Sequence, residues 1–431
     1  MRSTLLTELH WRGLIADVTT PDELDAHLAQ PDTEPRTVYV GFDPTADSLH
    51  VGSLLPLLTL RRVQLAGHRP LVLVGGGTGL IGDPSGKTLE RQLLTAEQVE
   101  ANVEGIRRQL ARFLDFDSTT APARLVNNAE WLTTLSAISF MRDVGKHFSV
   151  NAMLAKESVK RRIESDEGIS YTEFSYALLQ AYDYLVLHDR FQCTVQMGGS
   201  DQWGNITAGM DLIRRVRGGK AYGLVLPLIT TASGAKFGKT EAGSVWLDAE
   251  LTKPYEFYQF WINTDDRDAV KYLKFFTYLQ QSRIAELEAA AAREPERRHS
   301  QRELAREVTR HVHGDAALRE AETASEKLFA GKIGDMSVAE LLLVFPNVPS
   351  TTTAWAAEGW PIVDLLTSSG VTTSKSEATR LIRGGGIYVN DRRITDEKLR
   401  ITPDEAINSE VFVVRKGKRE NFLIRLVRGL G

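Results

Sequence analysis

Cysteine is almost missing from this sequence. Cys193 stands alone among 431 residues, so no internal disulfide can form and the chain falls outside the disulfide-stapled secreted scaffolds. Its surroundings, FQCTVQM, are apolar and strand-like, which makes it a small buried hydrophobe rather than a nucleophile. Long apolar runs are missing too. The strongest, VGSLLPLLTL, is cut by Pro56 and closed by Arg61 and Arg62, well short of a membrane span. The first residues, MRSTLLTELHWRGLI, carry Glu8 and His10 where a secretory leader would keep an apolar core. No serine or cysteine is paired with a histidine, and no carboxylate cluster demands a protein-bound metal. These absences predict a soluble, cytoplasmic protein with no membrane partner, no metal site and no tightly bound cofactor.

What is present is a globular composition, 42% hydrophobic and 25% charged, at a length that predicts two or three domains. The net charge of −4 is unevenly placed, because Pro361 to Gly431 holds 13 Lys and Arg against 9 Asp and Glu. A basic tail on an acidic body is either a solvated face or a grip on a polyanion.

The chain is organised around Arg36 to Ser53, RTVYVGFDPTADSLHVGS. Its first half reads as a short buried strand that breaks at Gly41, Pro44 and the Asp-Ser pair. The leucines of SLLPLLTLRRVQLAG then recur at helical spacing as far as Gly67. A strand therefore hands over to a helix N-terminus, whose unpaired amides and dipole favour a phosphate. RPLVLV (69–74) reads as a second strand, followed by GGGTGLIGDPSGKT. Gly77, Gly79 and Gly82 imitate a dinucleotide fingerprint, but Asp83-Pro84-Ser85-Gly86 forbids the helix that fingerprint needs. Gly86-Lys87-Thr88 imitates a P-loop, yet Ile81 stands where its first glycine belongs. The run is instead a loop approaching a ligand closely, followed by a flexible segment with Lys87 and Arg91.

Residues 96–115 have helical period, ARLVNN (123–128) reads as a strand ending in two asparagines, and 131–165 look helical. In YTEFSYALLQAYDYLVL, Tyr176, Gln180 and Asp183 lie on one line of a helix among leucines and alanines. A carboxylate and an amide there are costly to bury unless they meet a polar ligand; the plainer reading is a wet helix face. VQMGGSDQWGN (195–205) is a strand, a glycine turn and a helix start with Asp201 and Gln202; LVLPLI (224–229) is another strand. AKFGKTEAG (235–243) places Lys236, Lys239 and Thr240 around a glycine, which suits a mobile phosphate clamp. Strands alternating with helices predict an α/β, doubly wound parallel sheet whose ligands gather at the strand C-termini. Residues 249–340 read as an α-helical domain and 341–360 as a Pro- and Thr-rich linker. Residues 361–431 read as a small basic α+β unit, with Lys375, Arg380 and Arg383 on a helix and a hairpin about Asn390-Asp391.

Taken together, YVGFDPTADSLH, His50-Val51-Gly52-Ser53, GLIGDPSGK, FSYALLQAYD, GGSDQWGN and Lys236-Phe237-Gly238-Lys239-Thr240 resemble the bacterial-type tyrosyl-tRNA synthetases, a family of class I aminoacyl-tRNA synthetases, over essentially the whole chain. The resemblance implies a Rossmann-like catalytic domain over 1–248 with an inserted helical dimerisation region, an anticodon-recognising helical domain and an RNA-binding tail. It implies ATP with Mg2+ as substrate, L-tyrosine and tRNA(Tyr) as partners, and a homodimer. It assigns Tyr39 and Asp183 to the tyrosine hydroxyl, Tyr176, Gln180 and Asp83 to its ammonium, and Gln202 to a place near the reacting groups. The nucleotide would rest on Gly41, Asp43, Gly52, Gly199 and Asp201, with His50 and Lys239 also on ATP. Thr45, His50, Lys87, Arg91, Lys236, Lys239 and Thr240 would meet the pyrophosphate, with Asp43 and Asn128 also at the site. Two residues depart from the family pattern: Ser53 replaces a second histidine of the signature and Val40 a cysteine, so altered nucleotide affinity with the same reaction is expected. The alternatives are an RNA-binding protein that keeps the fold without catalysis, which the intact KFGKT, Asp83, Gln180 and Asp183 disfavour, and a tryptophan-specific relative, which the Tyr39 and Asp183 pair disfavours.

Overall fold

Val38 to Phe42 is apolar at every position but Gly41, the pattern of a strand covered on both faces, and it lies at the middle of a six-stranded sheet. The computed structural model describes residues 1–85, 93–164, 168–232, 234, 237–240, 243–329, 333–345, 348–417 and 420–427. These fall into two compact units, Met1–Thr252 with Trp261–Val312, and Lys253–Phe260 with His313–Gly431.

The first unit runs α1 (Thr4–Arg12), β1 (Asp17–Val18), β2 (Thr37–Phe42), α2 (Val51–Leu65), β3 (Arg69–Val74), α3 (Ala96–Leu110), β4 (Arg124–Asn127), α4 (Glu157–Ile163), α5 (Tyr171–Phe191), β5 (Cys193–Gly199), α6 (Trp203–Arg217), β6 (Tyr222–Leu226) and, later, α7 (Asp266–Phe276). The sheet order is β1-β6-β5-β2-β3-β4. Five strands are parallel, and β1 joins β6 antiparallel at the edge. This is the expected doubly wound sheet. Its strand order reverses between β2 and β5, and the crevice beyond the C-termini at such a reversal is where these folds take ligands.

α5 starts at Ser170, whose hydroxyl accepts from Glu173 N, and packs on α6 so closely that a Cβ at Gly209 would stand 2.8 Å from Tyr184 Cδ1. Tyr184, Leu185, Leu71, Leu73, Val126, Leu212 and Cys193 form one buried core. The N-terminus of α5 is tied to α4 by a buried ion pair: Arg162 Nη1 donates to Glu173 Oε1 (2.9 Å), and Nη2 lies 2.8 Å from Oε2.

Two expectations differ in detail. β6 stops at Leu226 because Pro227 has no amide for the ladder. The stretch from 129 to 163 is a series of short turns of helix, including a π turn at Phe140–Val144, rather than one continuous run. It leaves Ile138, Met141, Val150, Leu154 and Ile163 exposed, and Tyr171 follows at 72% exposure.

The second unit contains β7 (Ser350–Ala354), α8 (Lys375–Arg383), β8 (Ile387–Val389), β9 (Arg392–Ile394), β10 (Val411–Lys416) and β11 (Glu420–Val427), in sheet order β9-β8-β10-β11-β7. Asn390 and Asp391 both have positive φ, the two-residue turn expected between β8 and β9. Within the stretch read as a linker, β7 pairs parallel with β11. α8 buries Ala378 and Ile382, and Lys375, Thr379, Arg380 and Arg383 line an open groove of about 480 Å³.

Candidate active site

β2 and β5 bring Tyr39 and Gln196 side by side in register, so both side chains leave the same face of the sheet toward α5. Tyr39 is 1% exposed and its ring meets Tyr184 edge-on at 5.2 Å. Its hydroxyl has no hydrogen-bond partner among the described residues, and neither does the side-chain oxygen of Gln196. Two such atoms at the end of one crevice are polar groups awaiting a partner.

Asp183 comes from α5 and is as deeply buried as Tyr39. Asn128 Nδ2 donates to its Oδ2 (2.9 Å) and Trp131 Nε1 to its Oδ1 (2.7 Å). Burial pushes the carboxyl up to about 7, against the pull of these two donors. Burial, followed by the charge on Asp183, likewise holds the Tyr39 hydroxyl well above the usual phenol range.

Asn128 also fastens the glycine loop, since Gly77 N donates to its Oδ1 (2.7 Å) and its Nδ2 reaches Thr78 Oγ1 (3.0 Å). Thr78 Oγ1 donates to Asp43 Oδ1 (2.9 Å), and Tyr176 donates its hydroxyl to Asp43 Oδ2 (2.8 Å). Asp43, expected with the nucleotide, therefore stands in the same network as Tyr176. A Cβ at Gly75 would strike Asp43 and Thr78, and one at Gly76 would strike Asn127, so both must be glycine.

A second chain of bonds lies farther out. Gln202 Nε2 donates to Asp83 Oδ2 (2.7 Å), Gln180 Nε2 to Gln202 Oε1 (3.2 Å) and Asn205 Nδ2 to Gln180 Oε1 (2.9 Å). The expected line of Tyr176, Gln180 and Asp183 thus adds its own carboxylate to two others, Asp43 bonded to Tyr176 and Asp83 reached from Gln180 through Gln202. Neither Asp83 nor Asp183 is ion-paired among the described residues, and such a site suits a cationic group.

At the C-terminal ends of β2 and β5 lie Gly41, exposed, and Gly199, half-buried; beyond them come Thr45, His50 and Asp201, all exposed, and Gly52, half-buried. The N-terminus of α2 differs from expectation. Its first amides are already taken: Val51 N donates to Val245 O (2.9 Å), Gly52 N to His50 Nδ1 (3.0 Å) and Ser53 N to His50 O (2.8 Å). A returning segment supplies the first of these, with Leu247 N donating to Leu49 O and the Trp246 ring meeting His50 edge-on at 6.2 Å. His50, not the bare helix end, is the group this turn presents, and with Nδ1 accepting, the neutral ring carries its proton on Nε2.

The same segment places KFGKT. Phe237 is buried against Tyr272 (5.2 Å), Phe276 (5.5 Å) and Trp261 (5.9 Å). Gly238 has φ +77°, and a Cβ there would stand 2.7 Å from Val51 Cγ2, so the loop rests directly on the start of α2. Lys239 is exposed. Lys87, Arg91, Lys236 and the side chain of Thr240 lie outside the described residues.

Four residues of this network escaped the sequence reading: Thr78, Trp131, Gln196 and Asn205. Only Trp131 gave a usable signal, as an aromatic three residues after an asparagine at a strand end.

Known proteins match along the whole chain. A family model described as tRNA synthetases class I (W and Y) covers residues 31–330, and one for a tyrosine–tRNA ligase SYY-like C-terminal domain covers 340–424. The tyrosine–tRNA ligase of Roseiflexus castenholzii is 56% identical over 428 residues, 99% of this chain and 100% of that one. The Geobacillus stearothermophilus ligase is 53% identical over 98% of this chain and 99% of its own length. Among solved structures, a C-terminally truncated mitochondrial tyrosyl-tRNA synthetase from Aspergillus nidulans superimposes with a TM-score of 0.69 at 30% identity, covering 75% of this chain and 94% of that one. These matches across both units, on a doubly wound sheet with its candidate site at the strand-order reversal, place the chain in the tyrosine–tRNA ligase family of class I tRNA synthetases.

Proposed function

We propose that this chain activates L-tyrosine with ATP to tyrosyl-adenylate and pyrophosphate, and then transfers the tyrosyl group to the 3′-terminal adenosine of tRNA(Tyr). The observation that carries the tyrosine reading is the orphaned Tyr39 hydroxyl near the buried carboxyl of Asp183, which burial makes reluctant to ionise. A substrate phenol donates its O–H to Asp183 and accepts from Tyr39, completing both groups at once. Tyr176, Gln180 and Asp83 take the ammonium, and Gln202, bonded to Asp83, stands next to the reacting carboxylate. That carboxylate attacks the α-phosphorus in line and pyrophosphate leaves. Gly41, Gly52, Gly199, Asp43 and Asp201 border the nucleotide.

No side-chain nucleophile is needed. Catalysis is positioning and the stabilisation of charge growing on the departing phosphates by Thr45, His50, Lys87, Arg91, Lys236, Lys239 and Thr240. Donors whose contacts tighten only in the transition state raise turnover more than substrate affinity. Mg2+ would enter on the ATP phosphates, since no group of three or more metal-binding side chains is assembled among the described residues.

The exposed apolar side chains between Ile138 and Tyr171 support a homodimer packed through this region, because so much apolar surface in one stretch of chain is better covered than left to water. The helical region 249–340 would read the anticodon, and the basic face of α8 in the tail would grip the tRNA backbone. A cytoplasmic location fits a chain in which no described helix is long and apolar enough to cross a membrane. The test is amino-acid-dependent exchange of pyrophosphate into ATP. Exchange with tyrosine and far less with tryptophan or phenylalanine is expected; preference for tryptophan, or none at all, would refute the reading.

A further inference from the structure

Two buried arginines hold the C-terminal end of α7, and one of them belongs to the helix that His50 caps. Arg62, 4% exposed near the end of α2, donates Nη2 to the carbonyls of Phe275 (3.0 Å) and Thr277 (2.7 Å), and its guanidinium lies 5.1 Å from the Tyr278 ring centre. Arg12, on α1, donates Nη1 to Lys274 O (3.0 Å) and Thr277 O (3.1 Å), Nη2 to Leu279 O (2.7 Å) and Nε to Glu8 (2.6 Å). The last carbonyls of a helix lack intrahelical donors and sit at the negative end of its dipole, so cations are favourable there.

Arg12 is well served by this arrangement and Arg62 is not. Nε and Nη1 of Arg62 have no partner among the described residues. Two of the three nitrogens of a buried guanidinium are therefore without a hydrogen bond, a poor device for stability alone.

What Arg62 supplies is a connection. α7 presents Tyr272 and Phe276 to Phe237, the buried residue of KFGKT. From Phe237 the chain returns to α2, because Gly238 O accepts from Val245 N and Val245 O accepts from Val51 N. α2 thus touches the loop at its first turn and, through Arg62 near its last, grips the helix that seats the loop. The circuit closes on itself.

We propose that Arg62 is a positioning residue for the loop bearing Lys239. By fixing the end of α7 against α2 it fixes the ring stack around Phe237, and with it the place of Lys239 relative to His50 as pyrophosphate departs. This rests on the reaction proposed above.

The test compares Arg62→Met, which fills the space without charge, with Arg62→Lys, which keeps the charge and one donor. Pyrophosphate exchange is measured at varied tyrosine and varied ATP, alongside thermal unfolding. Arg62→Met is expected to lower kcat by about 10- to 100-fold, the scale of a small misplacement far from the chemistry, with KM for tyrosine within about twofold. Its Tm moves little, because an incompletely paired buried cation leaves with it. Arg62→Lys recovers part of kcat, and combined with Phe276→Leu the two losses do not add. A folded Arg62→Met with undiminished kcat, or a loss falling on KM for tyrosine, overturns the proposal. So does strict additivity of Arg62→Lys with Phe276→Leu, which decides the question even if Arg62→Met fails to fold. Absence of tyrosine-dependent exchange in the unaltered protein sinks the proposed function instead, independently of any Arg62 variant.

Discussion

Lowering the pH should weaken tyrosine binding through one residue. Asp183 has an ordinary carboxylate value of 3.8 in the unfolded chain and about 7 in the folded one, raised by burial and held from going higher by Asn128 and Trp131. Its native proton is therefore retained above the unfolded value, so the free protein loses stability as pH rises between the two, by about 4 kcal/mol once both states are ionised. A tyrosine hydroxyl that donates to Asp183 requires the ionised form. Between about pH 8 and about pH 6 that form falls from roughly nine-tenths to roughly one-tenth, so KM for tyrosine should rise about tenfold. Phenylalanine offers no hydroxyl and leaves the carboxylate unpaired, so its KM should not rise and discrimination should narrow. The assay is pyrophosphate exchange at saturating ATP across this range, repeated in Trp131→Phe. Losing one donor raises the Asp183 value further, and the midpoint should move up by about one pH unit. A flat KM profile, or a midpoint indifferent to Trp131, would refute the reasoning.

Gly238→Ala forces a side chain onto a residue at φ +77° and within 2.7 Å of Val51, and should cut kcat about tenfold or more with little change in tyrosine KM, read by the same exchange assay. Ile138→Asp puts a charge on the most exposed apolar side chain of residues 138–163 and should convert the proposed homodimer to monomers in size-exclusion with light scattering. Arg162→Met breaks a bidentate pair of which both partners are almost fully buried; leaving Glu173 unpaired should cost about 3–5 kcal/mol of stability in urea unfolding.

The sequence makes the sheet legible because its parallel strands are continuous apolar runs between glycine- and asparagine-rich turns, and helical period alone puts Tyr176, Gln180 and Asp183 on one line. What it hides is tertiary. Trp131 reaches Asp183 across 52 positions, and its place three residues after Asn128 says nothing of which carboxylate on another helix the indole meets. The first amides of α2 look vacant in sequence, since the carbonyl that meets Val51 belongs to Val245. Gly75 and Gly76 read as a close approach to a ligand, whereas the groups standing against them are the protein's own Asp43, Thr78 and Asn127.

The β2–α2 unit carries unsatisfied polar atoms near both of its ends, the Tyr39 hydroxyl on the strand and two nitrogens of Arg62 near the end of the helix. Buried groups left so reduce stability, and a core such as the one around Tyr184 and Leu185 offsets the cost without removing it. The two deficits differ in kind. At Tyr39 a substrate can complete the missing bond, so the cost is refunded only when the right amino acid enters, and that is a source of selectivity. At Arg62 no ligand is aimed at the gap, and the tension is permanent. A permanent cost is retained only where the geometry it enforces is worth more than the stability lost, and the geometry Arg62 enforces is the seat of Phe237 beside the first turn of α2. On the proposed reading, the strand decides which amino acid is held, and the far end of the following helix decides where the phosphate-facing loop stands while it reacts.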